Sequence, residues 1–227
     1  MSLIENIESI KKELSKISLS SGGNPQLVLV SKKVSKDVVQ QAYDLGVRDF
    51  GENRVQDLLD KKESLPEDIR WHFIGHLQTN KVKFLLDSGI ALIHSIDSIR
   101  LAKEIEKVSR KFNNTTDVLL QVNIAQETSK FGFNPSEVED AVAEIFKFGH
   151  VRIKGLMAMA PFVLDKEQIR SCFLKLRELR DRLCLLYPDI EWKELSMGMS
   201  EDYKIALEEG ATIIRLGAAV FGKRREL

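Results

Sequence analysis

The sequence has no excess charge of either sign. Its 34 Lys and Arg residues balance 34 Asp and Glu in a chain of 227. Chains that bind nucleic acid normally carry a basic excess, so no nucleic-acid partner is expected. The basic tail "GKRREL" reads as a solvated end. No apolar run approaches the ~18 residues a membrane span needs. The opening stretch "MSLIENIESIKKEL" is charged and helix-patterned, without the apolar core of a signal peptide. Cysteine is scarce. Cys172 and Cys184 are the only two, and they fall twelve positions apart on one predicted helix. That spacing is about 18 Å along a helix axis, whereas a disulfide needs Cα atoms within about 7 Å. Free thiols and no export signal lead us to expect a cytoplasmic protein. Also missing are a G-x-G-x-x-G fingerprint after the first strand, a long linker, a low-complexity tract and an internal repeat. We therefore expect a single domain over residues 1–227.

What is present is alternation. With 43% apolar and 30% charged residues, the chain can build both a sizeable core and a solvated surface. Short β-rich runs occur at "LVLVS" (27–31), "RDFG" (48–51), "WHFIG" (71–75) and "ALIHSI" (91–96). More follow at "DVLLQVNI" (117–124), "RIKGLMAM" (152–159), "KELSMG" (193–198) and "TIIRLG" (212–217). Between them lie stretches with apolar residues three and four apart, such as "SIRLAKEIEKVSRKF". Several strands are apolar on both parities, as when both faces are covered. Eight such strands with intervening helices predict an α/β fold, a (β/α)8 TIM-type barrel. A leading helix near residues 2–18 is additional, placed either to cover the barrel's base or to support a dimer. Monomer and weak dimer both remain open.

In such a barrel the active site sits at the C-terminal ends of the strands. The polar residues there are Lys32 or Lys33, Glu52 and Asn53, His76, Asn123, Ser196 and Ser200, and Arg215 with Gly217. Side chains alternate along a strand, so one of Lys32 and Lys33 points into the barrel mouth and the other toward the helices. Parity alone does not say which, because both faces are apolar. An inward, partly desolvated lysine favours the neutral, nucleophilic amine that imine formation requires. The alternative is a rim lysine whose stem packs while its ammonium reaches water. Barrels often bind phosphate with the loops after strands seven and eight. Here those loops read "LSMGMSEDYK" and "RLGAAVFG", small-residue turns opening helices, where backbone N–H groups could meet an anion. Ser200 could equally be only an N-cap. A rim lysine beside a phosphate site points to a phosphorylated aldehyde, either a sugar phosphate or pyridoxal 5′-phosphate (PLP).

Other residues have competing structural readings. Asn53 could cap a helix, with Gln56 completing a capping box. His72 and His76 share strand parity, but without a third ligand a structural role outweighs a metal site. Met157, Met159, Met197 and Met199 read as packing, and Lys130 as a solvated side chain.

Seven segments, in order, resemble the pyridoxal-phosphate homeostasis protein family, which shares the barrel of the alanine racemase N-terminal domain. They are "LVSK" (29–32), "FGENRVQD" (50–57), "WHFIGHLQTNK" (71–81), "QVNIAQETSKFGF" (121–133), "GLMAMAP" (155–161), "LSMGMSEDY" (195–203) and "RLGAAVFG" (215–222). The resemblance implies PLP as cofactor, with Lys32 forming its internal aldimine. It places Ser200, Gly217 and Ala218 at the phosphate with Ser196 nearby, Arg215 at the pyridine nitrogen, and Asn53 and His76 around the ring or the open site. Ala218 stands where the family often has threonine, so one hydroxyl donor to the phosphate is missing. It implies no catalytic residues and no metal.

An arginine at the pyridine nitrogen favours the unprotonated ring, a poorer electron sink. Two-domain alanine racemases add a β-rich domain and a tyrosine from the partner subunit as the opposite acid/base. This chain stops five residues after "VFG", and Tyr43, Tyr187 and Tyr203 all fall on predicted helices or a helix end. The expectation is a carrier that buffers or delivers PLP, with apo PLP-dependent enzymes as recipients. A single-domain racemase of low activity is the alternative. A Schiff-base aldolase acting on a phosphorylated sugar is the third reading.

Overall fold

The computed structural model describes residues 2–19, 23–127 and 130–222. Eight parallel strands close into a barrel in sequence order. They are β1 (Gln26–Val30), β2 (Asp49–Glu52), β3 (Arg70–Phe73), β4 (Leu92–Ile96), β5 (Thr116–Gln121), β6 (Val151–Met157), β7 (Glu194–Ser196) and β8 (Ile213–Leu216). Closure comes from β1 pairing β8, with Val28 opposite Arg215 and Leu29 opposite Leu216. A helix follows each strand: α2 (Lys36–Asp44), α3 (Val55–Lys62), α4 (Val82–Asp87), α5 (Ile99–Lys111), α6 (Val138–Ile145), α7 (Lys166–Leu186), α8 (Tyr203–Glu208) and α9 (Ala218–Phe221).

The leading helix, α1, spans Leu3–Leu14 and is shorter than its pattern predicts. Ser2 and Glu5 form a reciprocal capping box at its start, satisfying two N–H groups the helix would leave bare. The helix joins the outer helix layer. Its buried face of Ile7, Ile10 and Leu14 packs beside α2 and α9. Asn6 donates to the Val220 carbonyl, and Glu13 accepts from Tyr203 of α8. The last helix, α9, has four residues, too short to cover the seam between β8 and β1, and α1 supplies the missing wall.

Core packing separates the two faces of the strands. A large cluster between strands and helices contains Leu29, Phe50, Trp71, Ile93 and Leu195. A small second cluster of Val28, Leu92, Leu119, Met157 and Ile213 fills the barrel interior. Gly155 is required where β6 meets β7. Its φ is +154°, and a Cβ there would sit 1.8 Å from the Glu194 carbonyl oxygen. No helix among the described residues is long and apolar enough to cross a membrane. Both cysteines lie on α7 and are free, Cys172 buried and Cys184 partly so.

Candidate functional site

The interior cluster settles the lysine question that strand parity left open. Val28 points into the barrel and Leu29 outward, so the alternation carries Val30 and Lys32 to the inside. Both line a cavity of about 350 Å³ at the rim, together with Met199, Ser200, Glu201, Arg215, Gly217 and Ala218. Lys33 follows in a turn with φ +57°, and Lys36 is paired with Asp60 on α3.

The residue before Lys32 is held from three directions. The Ser31 N–H donates to the Gly51 carbonyl at 3.0 Å, its Oγ donates to Glu52 Oε1 at 2.7 Å, and its carbonyl accepts from Lys61 Nζ at 2.6 Å. Lys61 also pairs with Glu52, their side chains 7% and 0% exposed. Glu52, a candidate by its place at a strand end, therefore faces the helix layer as a structural anion.

Across the cavity, the Gly217 and Ala219 N–H groups converge on Ser200 Oγ at 3.4 and 3.0 Å. Ser200 is not the cap of α8; Asp202 holds that position. Arg215 is 4% exposed. Its Nη1 donates to Ser196 Oγ at 2.6 Å and its Nη2 to the Ala158 carbonyl at 3.1 Å. Burial pushes the guanidinium down to about 10, against the pull of Asp202, so it remains a cation at neutral pH. Burial also raises the Asp202 carboxyl, although the Met199 N–H and Arg215 oppose the shift.

Three expected site residues do not line this cavity. Ser196 ends β7 fully buried, beneath the cavity, where it joins Arg215 to His94. Asn53 and His76 line a neighbouring cavity of about 400 Å³ that includes Arg54, Phe73, Lys81 and Phe84. His76 Nδ1 bonds Asp97 at 2.8 Å, and its ring stacks on Phe131 at 3.9 Å. The capping box read from Asn53 and Gln56 does not form; Arg54 is the N-cap of α3, without a side-chain bond. His72 and His76 do not pair: His72 lies inside the barrel, bonded to His94 and Asp49. Lys130 is not merely solvated, since it donates to Glu127 and to the Ala160 carbonyl. His94 and Asp49 escaped the sequence reading, although each falls within a predicted strand run.

A family profile described as "Alanine racemase, N-terminal domain" matches residues 5–225. The chain is thus a barrel of the alanine racemase N-terminal class. An alanine racemase of Clostridium difficile 630 shows the same fold at 15% identity and TM-score 0.78, covering 99% of this chain and 57% of that one. Much closer is a pyridoxal phosphate homeostasis protein of Aquifex aeolicus, 44% identical over 88% of this chain and 87% of its own. PipY of Synechococcus elongatus PCC7942, solved with PLP bound, is 32% identical with a TM-score of 0.87, covering 97% of this chain and 100% of that one. The chain belongs to the pyridoxal phosphate homeostasis protein family.

Proposed function

We propose that this protein binds PLP at the Lys32 cavity and serves PLP homeostasis by buffering or delivering the cofactor to apo PLP-dependent enzymes. The observation that carries this reading is the convergence of three unlike groups on one rim cavity. A lysine amine, a buried guanidinium and a set of N–H and hydroxyl donors face it from different strand ends. PLP has three matching features: an aldehyde, a pyridine nitrogen and a phosphate. Lys32 would hold the aldehyde carbon. Ser200 with the Gly217, Ala218 and Ala219 backbone would hold the phosphate, and Arg215 would face the ring nitrogen. When bound, PLP supplies an electrophilic carbonyl carbon and an acceptor nitrogen. Arg215 offers only donors to that nitrogen, which keeps the ring unprotonated. Ala218 contributes its backbone but no hydroxyl, which lowers phosphate affinity without removing the site.

The tyrosines favour a carrier over a racemase. Tyr43 donates to Asp68, Tyr203 to Glu13 and Tyr187 to the Glu139 carbonyl, and none of the three lines the Lys32 cavity. The two unpaired cysteines on α7 agree with a reducing compartment, and we place the protein in the cytoplasm.

The test is an absorbance spectrum of the purified protein with PLP, before and after borohydride, followed by peptide mapping. A Schiff-base band and a reduced adduct on Lys32 are expected. An adduct on Lys33 instead, or none, overturns the reading. Transfer of PLP to an apo-enzyme should be measurable, and racemase assays over alanine, serine and other amino acids should be silent.

A further inference from the structure

The barrel interior holds a continuous line of polar side chains from the rim cavity to the opposite end. Arg215 Nη1 donates to Ser196 Oγ at 2.6 Å. Ser196 Oγ meets His94 Nδ1 at 2.8 Å, His94 Nε2 meets His72 Nδ1 at 2.9 Å, and His72 Nε2 meets Asp49 Oδ1 at 3.1 Å. Asp49 also accepts from Gln26 and from Arg70, whose side chain is 58% exposed. Five strands contribute to a line that starts at a buried cation and ends at a carboxylate, and Gln26 joins it from a sixth. Ser196, His94, His72 and Asp49 are all buried.

Hydrogen counting, with a single proton on His72, fixes the direction of every bond. Arg215 can only donate, so Ser196 Oγ accepts from it and has one proton left to give. Burial, with the Arg215 cation nearby, holds His94 well below its ordinary 6.5, so its ring is neutral and carries one N–H. Burial raises Asp49, but the bonds from His72 and Arg70 outweigh it and keep the carboxyl below its ordinary value. Asp49 therefore only accepts. If His72 also carries one proton, one arrangement satisfies every contact: the Ser196 hydroxyl donates to His94 Nδ1, His94 Nε2–H donates to His72 Nδ1, and His72 Nε2–H donates to Asp49. Reversing the chain requires an extra proton on His72. It also leaves the Ser196 hydroxyl without an acceptor among the described residues.

We propose that His94, His72 and Asp49 are positioning residues that orient the Ser196 hydroxyl and thereby hold the Arg215 guanidinium toward the ring nitrogen of bound PLP. The proposal rests on the PLP-binding reading above. Loss of the acceptor at residue 94 frees the hydroxyl to turn and compete for orientation with the guanidinium. The ring nitrogen then has a less fixed donor, and its protonation becomes sensitive to pH. The charged and titratable groups facing this line are Arg215 from β8, His94 from β4, and His72 and Arg70 from β3, with Asp49 from β2 and Asp202 at the start of α8 acting on Arg215.

The first test needs no cofactor. Side-chain nitrogen NMR of the labelled full-length protein without PLP should show His94 and His72 both as Nε2–H tautomers at neutral pH. A proton on Nδ1 of either ring overturns the proposal. The second test compares PLP-loaded proteins. His94→Leu and Ser196→Ala should each weaken PLP binding about tenfold, the equivalent of ~1.4 kcal/mol, and make the absorbance spectrum change with pH where the parent's is constant. His94→Gln, which can accept from Ser196 and donate to His72, should restore parent behaviour. Leu119→Val, a packing change in the same interior, should leave spectrum and affinity unaltered. If the parent loads normally and both His94→Leu and Ser196→Ala match it, the positioning role is refuted and PLP binding stands. If the parent takes up no PLP, both readings fall.

Discussion

Replacing Lys61 with methionine tests how the fold places Lys32. Lys61 Nζ lies 2.5 Å from Glu52 Oε1 and 2.6 Å from the Ser31 carbonyl. Glu52 is fully buried, and its Oε2 has no hydrogen-bond partner among the described residues. Lys61→Met would leave that carboxylate with the Ser31 hydroxyl as its neutral donor. Removing one member of a buried pair typically costs about 3–5 kcal/mol, because the remaining charge is uncompensated. At about 2–4 °C per kcal/mol for a chain of this size, Tm should fall by roughly 6–20 °C. Adding Glu52→Gln removes the charge while preserving an acceptor for Ser31. The double variant should recover to within about 1–2 kcal/mol of the parent, roughly the cost of the imperfect bonds that remain.

The pair of variants separates stability from placement. Both lack the bond to the Ser31 carbonyl, one residue before Lys32. The double variant should therefore unfold nearly like the parent in thermal or urea titrations followed by circular dichroism, yet still bind PLP more weakly. A Lys61→Met variant destabilised by less than about 1 kcal/mol would refute the buried-charge argument. A stable double variant with parent PLP affinity would refute the positional one.

Three further outcomes are expected. The unfolded chain protonates His94 as pH drops below about 6.5, whereas the folded chain resists. Stability should therefore fall with decreasing pH from there, by at most ~1.4 kcal/mol per unit from this group. Asp49, held below its ordinary 3.8, contributes stability that is lost only at lower pH. His94→Gln should flatten the first part of that acid limb in urea titrations, and an unchanged limb would contradict it. Gly155→Ala should cost several kcal/mol or abolish folding, because the new Cβ would meet backbone at 1.8 Å; a Tm close to the parent's would show that β6 and β7 can move apart. Cys172, whose thiol burial pushes up to about 11, should resist alkylation at pH near 8 in the native protein and react once urea unfolds it. Peptide mass mapping would expose the contrary.

Much of this fold is legible in the sequence because a barrel strand and its helix differ in period. Runs such as "DVLLQVNI" and "RIKGLMAM" cannot be mistaken for the three-and-four spacing of α5 or α7. The rim loops are readable for the same reason: "RLG" ends one period and opens another. Lys32 and Lys33 mark where that information stops. A strand that is apolar on both faces carries no label for inside, and only Val28 meeting Leu92 and Ile213 supplies one. The error over Asn53 is local. A capping box needs a particular backbone angle at the turn, and the close approach of Gly75 to the Asn53 carbonyl, where a Cβ would lie at 2.2 Å, shows that packing against β3 shaped that turn.

The polar line inside the barrel was missed for a different reason. His94 and Ser196 are 102 positions apart, and neither forms a motif with its neighbours in sequence. Yet a signal exists once the inward parity is known. Gln26 shares its face with Val28, Asp49 with Gly51, His94 with Leu92, and Arg215 with Ile213. Each is a polar residue on the face turned to the barrel interior, where an unpartnered polar group is costly. One such residue is an anomaly to be explained locally. Several on different strands must satisfy one another, because the closed barrel brings their interior faces together. Paired polar residues at inward positions of separate strands are thus a sequence-level sign of a hydrogen-bonded interior, read not from spacing along the chain but from the parity of strands that closure makes neighbours.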